Sequence, residues 1–122
     1  MPKRDVETFA ELLIRLVRDG AISSCKALAS GDSPAPEAKR WRAKSAAPSE
    51  EVIADIVDAT IFEFLNAIDS GELNLKFTAP RGRTFSLTQE GKGEMGGWYM
   101  MTNGWRHRFS KELVMDDLAE LA

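Results

Sequence analysis

The chain has 122 residues, enough for one domain with a modest core. Its hydrophobic fraction of 43% and charged fraction of 29% are those of a globular protein, and no apolar run approaches the ~20 residues a membrane span needs. The net charge of −3 weighs against a general nucleic-acid binder, and a single cysteine excludes an internal disulfide. The opening MPKRDVETF has no apolar signal-peptide core, so with the lone thiol it points to the reducing cytoplasm.

Residues 5–18 form a first amphipathic helix. Val6, Phe9, Leu12, Leu13, Leu16 and Val17 make its apolar face, with Glu7, Glu11, Arg15 and Arg18 on the polar one. Asp19-Gly20 marks a stop or a kink, and residues 21–29 read as a further short helix with Ile22, Cys25 and Leu28 or Ala29 inward. Cys25 at this spacing is core packing rather than a nucleophile. Residues 30–48, with Pro34, Pro36 and Pro48, read as a surface loop holding one helical turn after Pro36. Inside it lies Lys39-Arg40-Trp41-Arg42-Ala43-Lys44. Basic residues around a tryptophan can contact phosphates and stack a base. The preferred reading folds this stretch over an acidic helix face, with Trp41 against Phe62 and the cations against Asp55 and Asp58.

The clearest helix is residues 49–69, SEEVIADIVDATIFEFLNAID. Ser49 is its N-cap, Glu50 and Glu51 suit the positive end of the dipole, and Gly71 suits a left-handed residue after the last turn. Ile53, Val57, Thr60, Ile61, Phe64 and Ile68 share one side, widened by Ile56 and Leu65. Glu51, Asp55, Asp58, Asn66 and Asp69 share the other. Phe62 projects among these acids. Either another segment covers it, or it is a partner-binding anchor ringed by charge. Asp55 and Asp58 are read as a solvated, partner-facing pair rather than a metal site.

Beyond residue 72 the period changes to two. Leu73, Leu75 and Phe77 alternate with polar residues, Ala79-Pro80-Arg81-Gly82 is a turn, and residues 84–88 alternate through Phe85 and Leu87, which makes a β-hairpin. For residues 89–102 two readings stand level. Met95, Trp98, Tyr99 and Thr102 keep helical spacing, and Ser86 with Gln89 can form a capping box. Alternatively Asn103-Gly104 turns residues 98–102 into 105–109 as a second hairpin. Gly91, Gly93 and Gly96 mimic a nucleotide-binding spacing, but no βαβ unit surrounds them. Trp105-Arg106-His107-Arg108 is the most chemically suggestive stretch. Arg106 and Arg108 beside His107, helped by Arg81 and Arg83, form a candidate anion site. A helix follows, with Ser110 as N-cap, Leu113, Val114, Leu118 and Leu121 inward, and Asp116, Asp117 and Glu120 facing water.

Charge is arranged in blocks: residues 50–72 carry only acids, residues 39–44 only bases, and bases dominate from 76 to 111. The expected fold is α+β, with N-terminal helices and a long central helix packed on a small antiparallel sheet, then a C-terminal helix. The expected function is a small protein-interaction module without catalytic activity, such as an inhibitor, adaptor or immunity-type protein. Its partner is another protein, and no cofactor, metal or membrane enters the reading. Its contact candidates are Trp41, Phe62, Asp55, Asp58, Trp98 and Trp105. The alternative is anion or nucleic-acid binding through Arg81, Arg83, Arg106, His107, Arg108 and the loop around Trp41.

Overall fold

The computed structural model describes residues 2–115. The protein is α+β, built from helices around one two-stranded sheet. Helix α1 (Pro2–Leu12) runs through a π-helical segment (Leu13–Arg18) into α2 (Asp19–Ala29) without a break. The stop expected at Asp19-Gly20 is therefore corrected: the chain stays helical there, and Asp19 accepts from Ser110 Oγ and Lys111 N at 2.7 and 2.8 Å.

The π segment sets the register of this rod. Val6, Ala10, Ile14, Arg18 and Ile22 are all buried, each four residues from the next. A straight α-helix advances about 40° per four-residue step beyond a full turn, so such a row would spiral away from the core within ~4 steps. The wider turn takes back that drift. Arg18 thereby points inward, and Leu16 and Val17, expected inside, are 70% and 49% exposed.

Helix α3 (Pro36–Ala43) opens with Pro36 at its first position and packs on α2 through the region expected to be mostly loop. Helix α4 (Glu50–Asp69) is capped as expected: Ser49 Oγ accepts from Val52 N at 3.2 Å, and Gly71 has φ +85. It runs antiparallel to α2, as the pairs Arg18–Asp58 and Lys26–Glu50 show. Its buried face is Ile53, Ala54, Asp58, Ile61, Leu65 and Ile68. Phe64 and Ile56, expected inside, are exposed, and Asp58, expected in water, is buried. The buried face is rotated toward the acidic edge because the helical segment Met95–Met100 packs there.

Strands β1 (Lys76–Thr78) and β2 (Thr84–Ser86) pair antiparallel with Phe77 opposite Phe85. Phe9 of α1 meets Phe77 edge-on at 5.3 Å, so the first helix covers the hairpin. Three short helices follow: α5 (Leu87–Glu90), α6 (Met95–Met100) and α7 (Trp105–Phe109). Residues 89–102 thus take the helical reading, with Ser86 Oγ accepting from Gln89 N at 3.3 Å. Asn103-Gly104 turns one helix into the next, not one strand into another, with Asn103 at φ +63. The helix expected from Ser110 is absent over residues 111–115, and Leu118, Leu121, Asp116, Asp117 and Glu120 lie outside the described residues. Ser110 instead follows the end of α7.

Candidate functional site

Asp58 is the centre from which the second half of the molecule is organised. Its Oδ1 accepts from Arg18 Nε at 2.7 Å and from the Tyr99 hydroxyl at 2.6 Å. Its Oδ2 accepts from Arg106 Nη1 at 2.8 Å and from Arg18 Nη2 at 3.2 Å. The ionised carboxylate thus uses its whole acceptor capacity. Burial by itself pushes the Asp58 carboxyl up, but the hydrogen bonds and charge of Arg18, with the bonds from Tyr99 and Arg106, hold it below the usual carboxylate range. Burial and the adjoining Asp58 push the Tyr99 phenol well up, so it stays a donor. Burial pulls the Arg18 guanidinium down, and Asp58 more than restores it.

Two guanidiniums around one carboxylate leave a positive excess. Asp19, 3.7 Å from Arg18 Nη1, offsets it. Of the remaining donors, Arg18 Nη1 donates to Ser110 Oγ at 2.8 Å, and the others reach backbone: Arg18 Nη2 donates to Leu113 O at 2.7 Å, Arg106 Nη2 to Met100 O at 2.9 Å, and Arg106 Nε to Tyr99 O at 3.2 Å. Among the described residues no buried side-chain polar atom lacks a partner. The network therefore holds α6, α7 and residues 110–115 to the long helices.

The opposite faces of α6 and α7 line a cleft of about 370 Å³. Along these helices the chain alternates between two sides. Tyr99 and Arg106 turn to Asp58, while Trp98, Met101, Trp105 and Arg108 turn to the cleft. The indoles of Trp98 and Trp105 stand 6.0 Å apart, tilted by 50°, and Phe9 backs Trp105 edge-on at 6.4 Å. Val6, Asn103 and Gly104 complete the lining, with Glu7, Glu90, Lys92 and Glu94 at the rim. Gly104 is required: a Cβ there would fall on the Trp98 carbonyl oxygen. Two rim charges are already matched, Glu7 by Arg108 at 3.4 Å and Glu90 by Arg83 at 2.6 Å. Lys92 and Glu94 form no ion pair with any described residue.

The residues singled out from sequence separate in space. Trp98, Trp105 and Arg108 come together in the cleft. Arg106 leaves the proposed anion cluster, because it is 3% exposed and bound to Asp58. Arg83 lies at the hairpin between Asp5 and Glu90, which answer its charge. Arg81 and His107 are exposed. Asp58 is withdrawn from any partner-facing role by its burial, while Asp55 stays exposed. Phe62 is half-buried, and α6 covers it: a Cβ at Gly96 would lie 3.2 Å from its ring. Trp41 is half-buried on α3, and the expected closure of that basic stretch over Asp58 is replaced by Arg18 and Arg106. Cys25 is half-buried beside Ile22, Ile53 and Ala54. Sequence reading missed Arg18 and Tyr99. The one available signal was the four-residue spacing of Val6, Ala10, Ile14, Arg18 and Ile22.

Among the described residues no helix is long and apolar enough to cross a membrane, and no group of three or more His, Cys, Asp or Glu side chains is placed to hold a metal ion. Comparison with protein families, with characterised proteins and with solved structures returns no match for this chain.

Proposed function

We propose that the chain is a protein-interaction module whose receptor site is the α6–α7 cleft, and that it takes an apolar or aromatic side chain of a partner peptide. The observation that carries this reading is the pair of tryptophans, Trp98 and Trp105, set 6.0 Å apart in one opening. Binding sites are concave and mostly apolar with a few converging polar groups, and tryptophan is prominent among residues that dominate interface energy. The volume suits one large side chain. The indole N–H groups suit main-chain carbonyls flanking it, and Lys92 and Glu94 at the rim suit charges further along the peptide.

The test is selection from a random peptide library, followed by ¹⁵N spectra of the protein with the chosen peptide. The chain has three tryptophans, hence three indole signals. Those of Trp98 and Trp105 are expected to shift while that of Trp41, on α3, stays in place. Trp98→Ala is expected to weaken binding by more than about tenfold, the scale of an interface hot spot. Selected peptides that move Trp41 alone, or a library that returns no binder, overturn the assignment.

A further inference from the structure

Helix α4 carries an exposed apolar row along the edge of its core side. Ile53, Ile61 and Ile68 are buried, yet Val52, Ile56 and Phe64 beside them remain 44%, 59% and 38% exposed. Thr60 continues the same i,i+4 row and turns its hydroxyl to Ile56 O at 2.8 Å, so the row presents no unmet donor. Every charge on this helix is acidic. Glu50 is met by Lys26, Asp58 lies in the core, and Asp69 accepts from Met95 N and Gly96 N at 3.1 and 2.9 Å. Glu51, Asp55 and Glu63 are exposed and have no cation among the described residues.

Helix α3 has the opposite character. Lys39 and Arg40, with Lys44 just past its end, are exposed and meet no carboxylate of the described residues. Arg42 is committed to Gly31 O and Ser33 O at 2.9 and 3.1 Å. Ala38 is fully buried, and α3 packs on α2 in its own molecule.

We infer that a second copy of this chain is the occupant: α3 of each protomer lies on the exposed face of α4 of the other, in a two-fold dimer. Two copies meeting α4 against α4 bury the same apolar row, but set Glu51, Asp55 and Glu63 of both copies against one another. Crossing α3 onto α4 places Lys39, Arg40 and Lys44 among those acids instead, and two-fold symmetry makes the contact twice. The α6–α7 cleft takes no part in this contact, so the dimer and the peptide site stand or fall separately.

Sedimentation velocity tests it. The wild-type chain is expected to dimerise at low ionic strength, with association weakened about tenfold or more as salt screens exposed charge at ~0.5 M. Lys39→Glu with Arg40→Glu in one variant, and Asp55→Lys with Glu63→Lys in another, are each expected to be monomeric alone. Mixed, they are expected to form a heterodimer, because each supplies the charge the other now needs. All four positions are exposed, and circular dichroism of each variant confirms an unchanged fold. Ile56→Glu is expected to abolish association in either background. A wild-type chain that stays monomeric at every salt concentration, variants that dimerise alone, or a mixture that stays monomeric overturns the inference. A monomer that instead retards an oligonucleotide overturns it in favour of a polyanion on α3.

Discussion

Replacing Asp58 by Asn keeps the shape of the side chain and removes its charge. Its carboxylate now meets Arg18, Arg106 and Tyr99 at 2.6 to 3.2 Å. In the variant, the two buried guanidiniums retain, among the described residues, only the carboxylate of Asp19, at 3.7 Å from one of them, and an amide NH₂ faces donors where an oxygen accepted. Removing one partner of a buried ion pair costs about 3–5 kcal/mol. Against a typical domain stability of about 5–15 kcal/mol, that is about 30–50% of the total for a midrange protein. At about 4 °C per kcal/mol the melting midpoint should fall by about 12–20 °C. Urea unfolding of wild type, Asp58→Asn and the exposed control Asp55→Asn measures the difference directly. The acid limb gives an independent check. The folded carboxyl sits below its ordinary value, so its contribution is fully present above the ordinary carboxylate range and is lost as pH falls through the folded value. Asp58→Asn should lack that part of the acid-induced loss. A loss no larger than that of Asp55→Asn, or identical acid limbs, would refute the central role given to this carboxylate.

Tyr99→Phe removes a single charge-assisted hydrogen bond of 2.6 Å and should cost about 1.5–3 kcal/mol by urea unfolding, less than Asp58→Asn. Gly96→Ala brings a Cβ to 2.8 Å from Asn66 Oδ1 and 3.2 Å from the Phe62 ring, and overpacking of this kind should cost about 1–3 kcal/mol in the same assay. Asp69→Ala removes the acceptor for Met95 N and Gly96 N, and at about 1 kcal/mol should raise amide exchange in α6 more than elsewhere. Arg83→Ala strips two surface ion pairs and should leave the unfolding midpoint unchanged, since exposed pairs add little.

Local rules sufficed for much of the framework. The N-cap of α4 at Ser49, the left-handed Gly71 and the Phe77–Phe85 hairpin each depend on residues close in sequence, so patterning alone predicted them. For residues 89–102 the sequence allowed a helix or a strand. The backbone N–H groups that open α6 are met by Asp69 from α4, a partner 26 residues away that no local pattern contains. The expected C-terminal helix shows the same limit. Residues 110–115 lie non-helical because Ser110, Lys111 and Leu113 bond to Asp19 and Arg18.

What the chain determined by itself was its inventory: a long acidic helix, an amphipathic N-terminal helix, one hairpin and a concentration of aromatic residues after it. Hydrophobic period and turn chemistry are short-range properties, and they carry that information. Which faces turn inward was decided only in three dimensions. A single π segment rotates Arg18 into the core and Leu16 and Val17 out of it, and the meeting of Arg18, Arg106 and Tyr99 makes a buried position for Asp58. A charge is costly to bury until its partners arrive, and those partners lie 40 and more residues distant along the chain. The cleft shares that origin, because the residues that grip Asp58 alternate with those that form its wall.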